Sequence, residues 1–150
     1  MSDPGGKVTV LVVEDDPSLL CLMEHMLASG GFEPITATGA ADGLSLVRGR
    51  QGQFDLAIVD MVMPGMSGLD LATELVREYP NIKILYISGY VGSLAAEALA
   101  RRTPDRVLLK PFNEQTLLDR VRLVLETPSR CEPGQAPMPS AKAIGDGTGG

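Results

Sequence analysis

The sequence predicts an α/β fold, a doubly wound five-stranded parallel sheet with helices on both faces. Three observations carry this. Between residues 7 and 126, short apolar runs alternate with stretches whose apolar residues recur at helical spacing. The runs are nearly continuous in apolar and β-branched residues, which suits strands covered on both faces. Five strand–helix units of this length imply parallel pairing with crossover helices.

Val8 to Val13 (VTVLVV) is the first strand. Asp16-Pro17 follows as an N-cap and first helical residue. Leu19, Leu20, Leu22, Met23, Met26 and Leu27 mark the first helix, which Gly30-Gly31 ends. Phe32 to Thr36 reads as a second strand, at a sheet edge because Pro34 lacks an N–H. Ala40 to Val47 is a weaker helix broken up by Gly43. Phe54 to Val59 is the third strand, ending at Asp60, and the loop MVMPGMSG follows. Leu69 to Tyr79 is amphipathic, with Leu71, Leu75 and Val76 inward. Ile82 to Ile87 is the fourth strand, Ser93 to Ala100 an Ala-rich helix, and Arg106 to Leu109 a short fifth strand. Leu117, Leu118, Val121, Val124 and Leu125 mark the last helix. Right-handed crossovers leave few topologies, and the flavodoxin-like strand order 2-1-3-4-5 leads. Function in such sheets sits at the carboxyl ends of the strands.

The 150 residues suit one domain, with 44% hydrophobic and 21% charged residues. The net charge of −6 and the lack of a basic run argue against direct nucleic-acid binding, which needs Lys and Arg to neutralise phosphates. No helix-turn-helix with a basic face follows the last helix. Cys21 and Cys131 do not form a disulfide framework, so a reducing compartment is expected. The segment MSDPGGK has no signal-peptide core, and no stretch approaches the roughly 18 apolar residues that span a bilayer. The expectation is a cytoplasmic protein without a membrane partner. Residues 1–6 read as an extension and 7–126 as the domain. Residues 127–150 read as a flexible tail, because nine of these 24 are Pro or Gly and only Met138 and Ile144 are large and apolar.

The strand ends carry the polar residues. Glu14-Asp15-Asp16 follow strand one, Asp60 strand three, Ser88 strand four and Lys110-Pro111-Phe112 strand five. In the predicted topology all face one edge of the sheet. Two like charges 4 Å apart repel by roughly 4 kcal/mol at an effective dielectric of 20. Either one carboxyl stays protonated or a cation binds. An all-oxygen site with room for phosphate and water suits Mg²⁺, whereas no Cys/His cluster supports Zn²⁺. Asp16 reads as a cap alone, the single His25 as a helical residue facing solvent or a neighbouring helix, and the seven methionines as packing.

LVVEDD, IVDMVMPGMSGLDL, ILYISGY and LLKPF, in this order and spacing, resemble the receiver domain of two-component response regulators over about residues 7–126. The ILYISGY wording is similar to receivers attached to hybrid histidine kinases. Each motif alone is weak; the ordered set is specific. The resemblance implies that Asp60 is phosphorylated and that Glu14, Asp15, Asp60 and the backbone carbonyl of Val62 hold Mg²⁺. It implies that Ser88 bonds the phosphoryl oxygens, that Lys110 bridges to the phosphoryl group, and that Lys110-Pro111 is cis. It further implies a histidine kinase or histidine phosphotransfer protein as donor, a downstream protein effector, and no reaction beyond the domain's own phosphorylation and dephosphorylation. The chain departs from the family at Val107, where receivers commonly carry an aromatic residue; Tyr86 and Tyr90 are the nearby aromatics. Val62 and Tyr90 stand where a polar side chain often assists hydrolysis.

The alternative reading is a pseudo-receiver, a protein-binding module never phosphorylated. The presence of Glu14, Asp15, Asp60, Ser88 and Lys110 together argues against it. A flavin-binding protein would need a hydroxyl- and glycine-rich loop after strand one, where EDDPSLL stands. A phosphatase of the aspartyl-phosphate type usually carries its nucleophile on the first strand.

Overall fold

The computed structural model describes residues 7–63, 65–89, 98 and 101–127. The elements are β1 (Thr9–Val13), α1 (Pro17–Ser29), β2 (Glu33–Ala37), α2 (Ala40–Gly49), β3 (Leu56–Asp60), α3 (Gly68–Glu78), β4 (Lys83–Ser88), a 3-10 turn (Pro104–Arg106), β5 (Val107–Leu109) and α4 (Glu114–Glu126). Of the predicted helix Ser93–Ala100, Ala98 is helical and the remainder lies outside the described residues, as do the extension 1–6 and the tail beyond Thr127.

All pairings are parallel and the order is β2-β1-β3-β4-β5, the flavodoxin-like arrangement. The continuous apolar runs divide by the two-residue period of a strand. Val10, Val12, Leu56, Ile58, Leu85, Ile87 and Leu108 pack with residues of α1 and α4. Leu11, Val13, Ala57, Val59, Ile84, Tyr86 and Val107 pack with residues of α2 and α3. The central strands are therefore buried on both faces, and truncating a residue such as Leu11 to Ala costs about 2–5 kcal/mol.

Local chemistry sets the ends. Asp16 Oδ1 accepts from Ser18 N at 3.0 Å, with Pro17 opening α1. Ser67 Oγ caps α3 through Asp70 N, and Asn113 Oδ1 caps α4 through Thr116 N. Gly31, at φ +92, makes the left-handed exit from α1. Pro34 lies on edge strand β2 as expected. Glu33 N donates inward to Val8 O, so the next residue's nitrogen faces the outer edge, where no strand needs a donor.

Four expectations change. Gly43 does not break α2, which runs unbroken to Gly49. It lies buried against β1, where a Cβ would sit 3.0 Å from Val13 Cγ2. Leu22 belongs to the apolar repeat of α1 but is 49% exposed, because the stripe facing the sheet is filled by Leu20, Met23, Met26 and Leu27. Strands β2, β3 and β4 begin and end one or two residues later than their apolar runs, so Asp60 and Ser88 are their last residues rather than the first loop residues. Backbone pairing decides this: Asp60 pairs with Ile87 and Ser88 with Leu109 regardless of side-chain polarity. Arg106 leaves β5 for the preceding 3-10 turn. Among the described residues no helix is long and apolar enough to cross a membrane.

Candidate functional site

Parallel pairing brings every strand's carboxyl end to one edge of the sheet. Four of the residues singled out in the sequence meet there in measured contact or ladder pairing. Glu14 follows β1, and its N–H donates to Ala37 O at 3.1 Å, which carries the ladder one step past the strand. Its side chain is turned inward and only 1% exposed. Oε2 accepts from Asp16 N at 3.0 Å. Oε1 has no hydrogen bond; it lies 3.2 Å from Lys110 Nζ as an ion pair outside hydrogen-bonding geometry.

Asp60 is 4% exposed. Its Oδ1 accepts from Val62 N at 3.1 Å and its Oδ2 lies 3.3 Å from Lys110 Nζ. The ammonium of Lys110 thus bridges Glu14 and Asp60 across β1, β3 and β5. Lys110 N donates to Ser88 O at 2.9 Å, tying the end of β5 to the end of β4. Ser88 itself is 4% exposed. Asp15 points to solvent, yet one oxygen each from Glu14, Asp15 and Asp60 lie within 4.8 Å of one another. The Lys110-Pro111 peptide is cis. Val62 contributes its N–H to Asp60, while its side chain is 67% exposed.

Three carboxylates share the site with one ammonium, and the imbalance is visible in the acidity of Glu14. Burial pushes the Glu14 carboxyl up to about 7; the Asp16 N–H works against that, the charge of Asp60 adds to it, and Lys110 opposes it. Burial works against the Lys110 ammonium, but Asp60 and Glu14 outweigh it and its pKa is raised. The donor set is oxygen only, and Glu14 Oε1 is a buried acceptor without a donor. Both features fit a hard divalent cation such as Mg²⁺ in place of the missing positive charge.

Two contributors act without a reactive group that the motifs would single out. Gly68 opens α3 directly against the end of β3: a Cβ there would lie 2.0 Å from Asp60 O and 2.8 Å from Met61 Cα. Its place in MPGMSG, directly after the Ser67 cap, is the sequence signal for this. Arg120, on α4, donates from Nη1 to Val107 O at 2.6 Å, a main-chain contact that the LLKPF motif beside Val107 does not reveal. Tyr86 is buried opposite Val107 and packs in the same cluster, so an aromatic ring does stand beside the position where Val107 departs from the family. Tyr90 lies outside the described residues.

Comparison with known proteins agrees with this architecture. The model of the response regulator receiver domain matches residues 10–122. The sensor kinase CckA of Brucella abortus is 33% identical over 129 residues, covering 83% of this chain and 13% of that protein. The transcriptional regulatory protein YcbL of Bacillus subtilis is 30% identical over 77% of this chain and 50% of its own length. The chain therefore spans between about an eighth and a half of these relatives. Among solved structures, a receiver domain protein from Clostridium thermocellum superposes with a TM-score of 0.70 at 27% identity, over 79% of this chain and 94% of that one. The response regulator TrrA of Thermotoga maritima, solved in complex with Mg²⁺ and BeF, gives a TM-score of 0.65 at 30% identity over 78% and 98%. By fold, motif order and family match alike, the chain belongs to the response regulator receiver domain family.

Proposed function

We propose that this chain is a phosphorylation-switched signalling receiver that accepts a phosphoryl group onto Asp60. One observation carries the reading: a nearly buried carboxylate at a strand end has an ammonium 3.3 Å from one oxygen, a main-chain N–H on the other, and two further carboxylates beside it. A cap or turn aspartate has no use for such surroundings.

A carboxylate oxygen of Asp60 forms a bond to phosphorus as the bond between phosphorus and the donor's leaving group breaks, and that bonding pair departs with the leaving group. Lys110 reaches Asp60 before the reaction and follows the negative charge onto the transferred oxygens. The Ser88 hydroxyl donates to one of those oxygens. Glu14 holds Lys110 from the opposite side. Glu14, Asp15, Asp60 and the main-chain carbonyl of Val62 would hold Mg²⁺, which when bound offsets charge on the phosphoryl oxygens. Receiver domains work between histidine kinases and downstream effectors. In this chain the donor is a histidine kinase or a histidine phosphotransfer protein, and the readout is a protein effector.

Intact-mass measurement after incubation with Mg²⁺ and acetyl phosphate tests the reading. The parent gains one phosphoryl group and Asp60→Asn gains none; an equal adduct in the variant overturns the assignment. No adduct on the parent would favour the pseudo-receiver.

A further inference from the structure

Strand β5 has three residues, pairs among the described residues with β4 alone, and carries Lys110 immediately after its last residue. Such a strand has one free edge with backbone groups that no neighbour satisfies. Its alternation follows from one bond: Lys110 N donates to Ser88 O, so Leu108 and Lys110 face β4 while Val107 and Leu109 face the free edge. The carbonyl of Val107 is therefore an unsatisfied edge group unless something reaches it from outside the sheet. The Arg120 guanidinium does, at 2.6 Å and partly buried. Its helix is a firm support, since Leu117, Leu118, Val121 and Val124 of α4 are all buried in the core.

We propose that Arg120 is a positioning residue for Lys110. By holding the outer edge of β5 it fixes the strand, and with it the point from which the Lys110 side chain reaches between Glu14 and Asp60. The proposal rests on the reading of Asp60 as phosphoacceptor, but its structural half is measurable without phosphorylation. A charge-assisted hydrogen bond of this kind is the strong class, and small displacements at a reacting centre carry large rate effects. Loss of the contact slows labelling by about tenfold.

The test uses the full chain with Arg120→Met, Arg120→Lys, Lys110→Met and the double variant Arg120→Met/Lys110→Met. Three quantities are measured: the initial rate of labelling by acetyl phosphate with Mg²⁺, hydrogen exchange of the Lys110 amide, and the thermal midpoint. Arg120→Met should slow labelling about tenfold and speed Lys110 amide exchange by a similar factor. Arg120→Lys, which keeps a donor, should recover most of both. The double variant should label no more slowly than Lys110→Met alone. Unchanged amide exchange in Arg120→Met overturns the proposal, as does a double variant slower than Lys110→Met by the full Arg120 factor. A lowered thermal midpoint with the parent's labelling rate would make Arg120 a stabilising residue only, and would also overturn it. If the parent takes no phosphoryl group while exchange responds as expected, the functional reading fails and the strand-holding role stands.

Discussion

Gly68→Ala is the sharpest probe of how the fold holds Asp60. The added Cβ would sit 2.0 Å from Asp60 O, 2.8 Å from Asp60 C and 2.8 Å from Met61 Cα. The nearest of these is about 1 Å inside the closest approach that a Cβ tolerates, and all three atoms are backbone, so no side chain can swing aside. Either α3 withdraws, breaking the Gly68 N to Met61 O bond, or the end of β3 moves. Forced overpacking of this kind costs about 1–3 kcal/mol. At roughly 4 °C per kcal/mol, the thermal midpoint should fall by about 4–12 °C. The displaced carbonyl belongs to Asp60, the proposed phosphoacceptor, so labelling by acetyl phosphate should fall further, by about ten- to a hundredfold. Gly49→Ala, where nothing lies within 4 Å, is the matched control; it should gain about 0.5–1 kcal/mol and label at the parent rate. A Gly68→Ala protein with the parent's midpoint and labelling rate would refute the argument that this glycine seats Asp60.

Glu14 should make stability depend on pH when no divalent cation is present. Its folded pKa of about 7 lies above the ordinary 4.5, so the native state binds the extra proton between those values; the associated stability is complete below pH 4.5 and is lost as pH rises through 7. The loss is at most about 3 kcal/mol, and urea titrations in chelator should show it in the parent but not in Glu14→Gln. Saturating Mg²⁺ at pH 8 should restore about 2.7 kcal/mol at a hundred times its dissociation constant, and a parent indifferent to Mg²⁺ would contradict the metal assignment. Val62→Asn should shorten the life of the phosphorylated form about five- to thirtyfold without preventing its formation, since the exposed Val62 side chain offers an attacking water neither donor nor acceptor. Decay after donor removal that is equal or slower in the variant would dismiss position 62. Truncation after Thr127 should leave the midpoint nearly unchanged, because the end of α4 is already satisfied by Thr127 Oγ1 to Val124 O and Lys83 Nζ to Leu125 O. A large drop would show that the removed segment packs on the domain.

Much of this was legible in the residues themselves. Continuous apolar runs separated by helical repeats determine a two-faced parallel sheet, because only strands buried on both sides can carry VTVLVV or LAIV without a polar face. Parallel order then sends all carboxyl ends one way, so Glu14, Asp60, Ser88 and Lys110 had to share an edge. Three things needed the tertiary structure. Strand ends are decided by ladder bonds between backbones, which carry Asp60 and Ser88 inside their strands although their side chains are polar. Gly43 interrupts a helix by propensity, yet contact with Val13 outweighs a cost of about 1 kcal/mol. Arg120 and Gly68 act through backbone atoms, Val107 O and Asp60 O, that every residue possesses. A side-chain pattern reports which faces are apolar and which groups ionise. It does not report which carbonyl is left unpaired at an edge, or where two backbones pass too close for a Cβ.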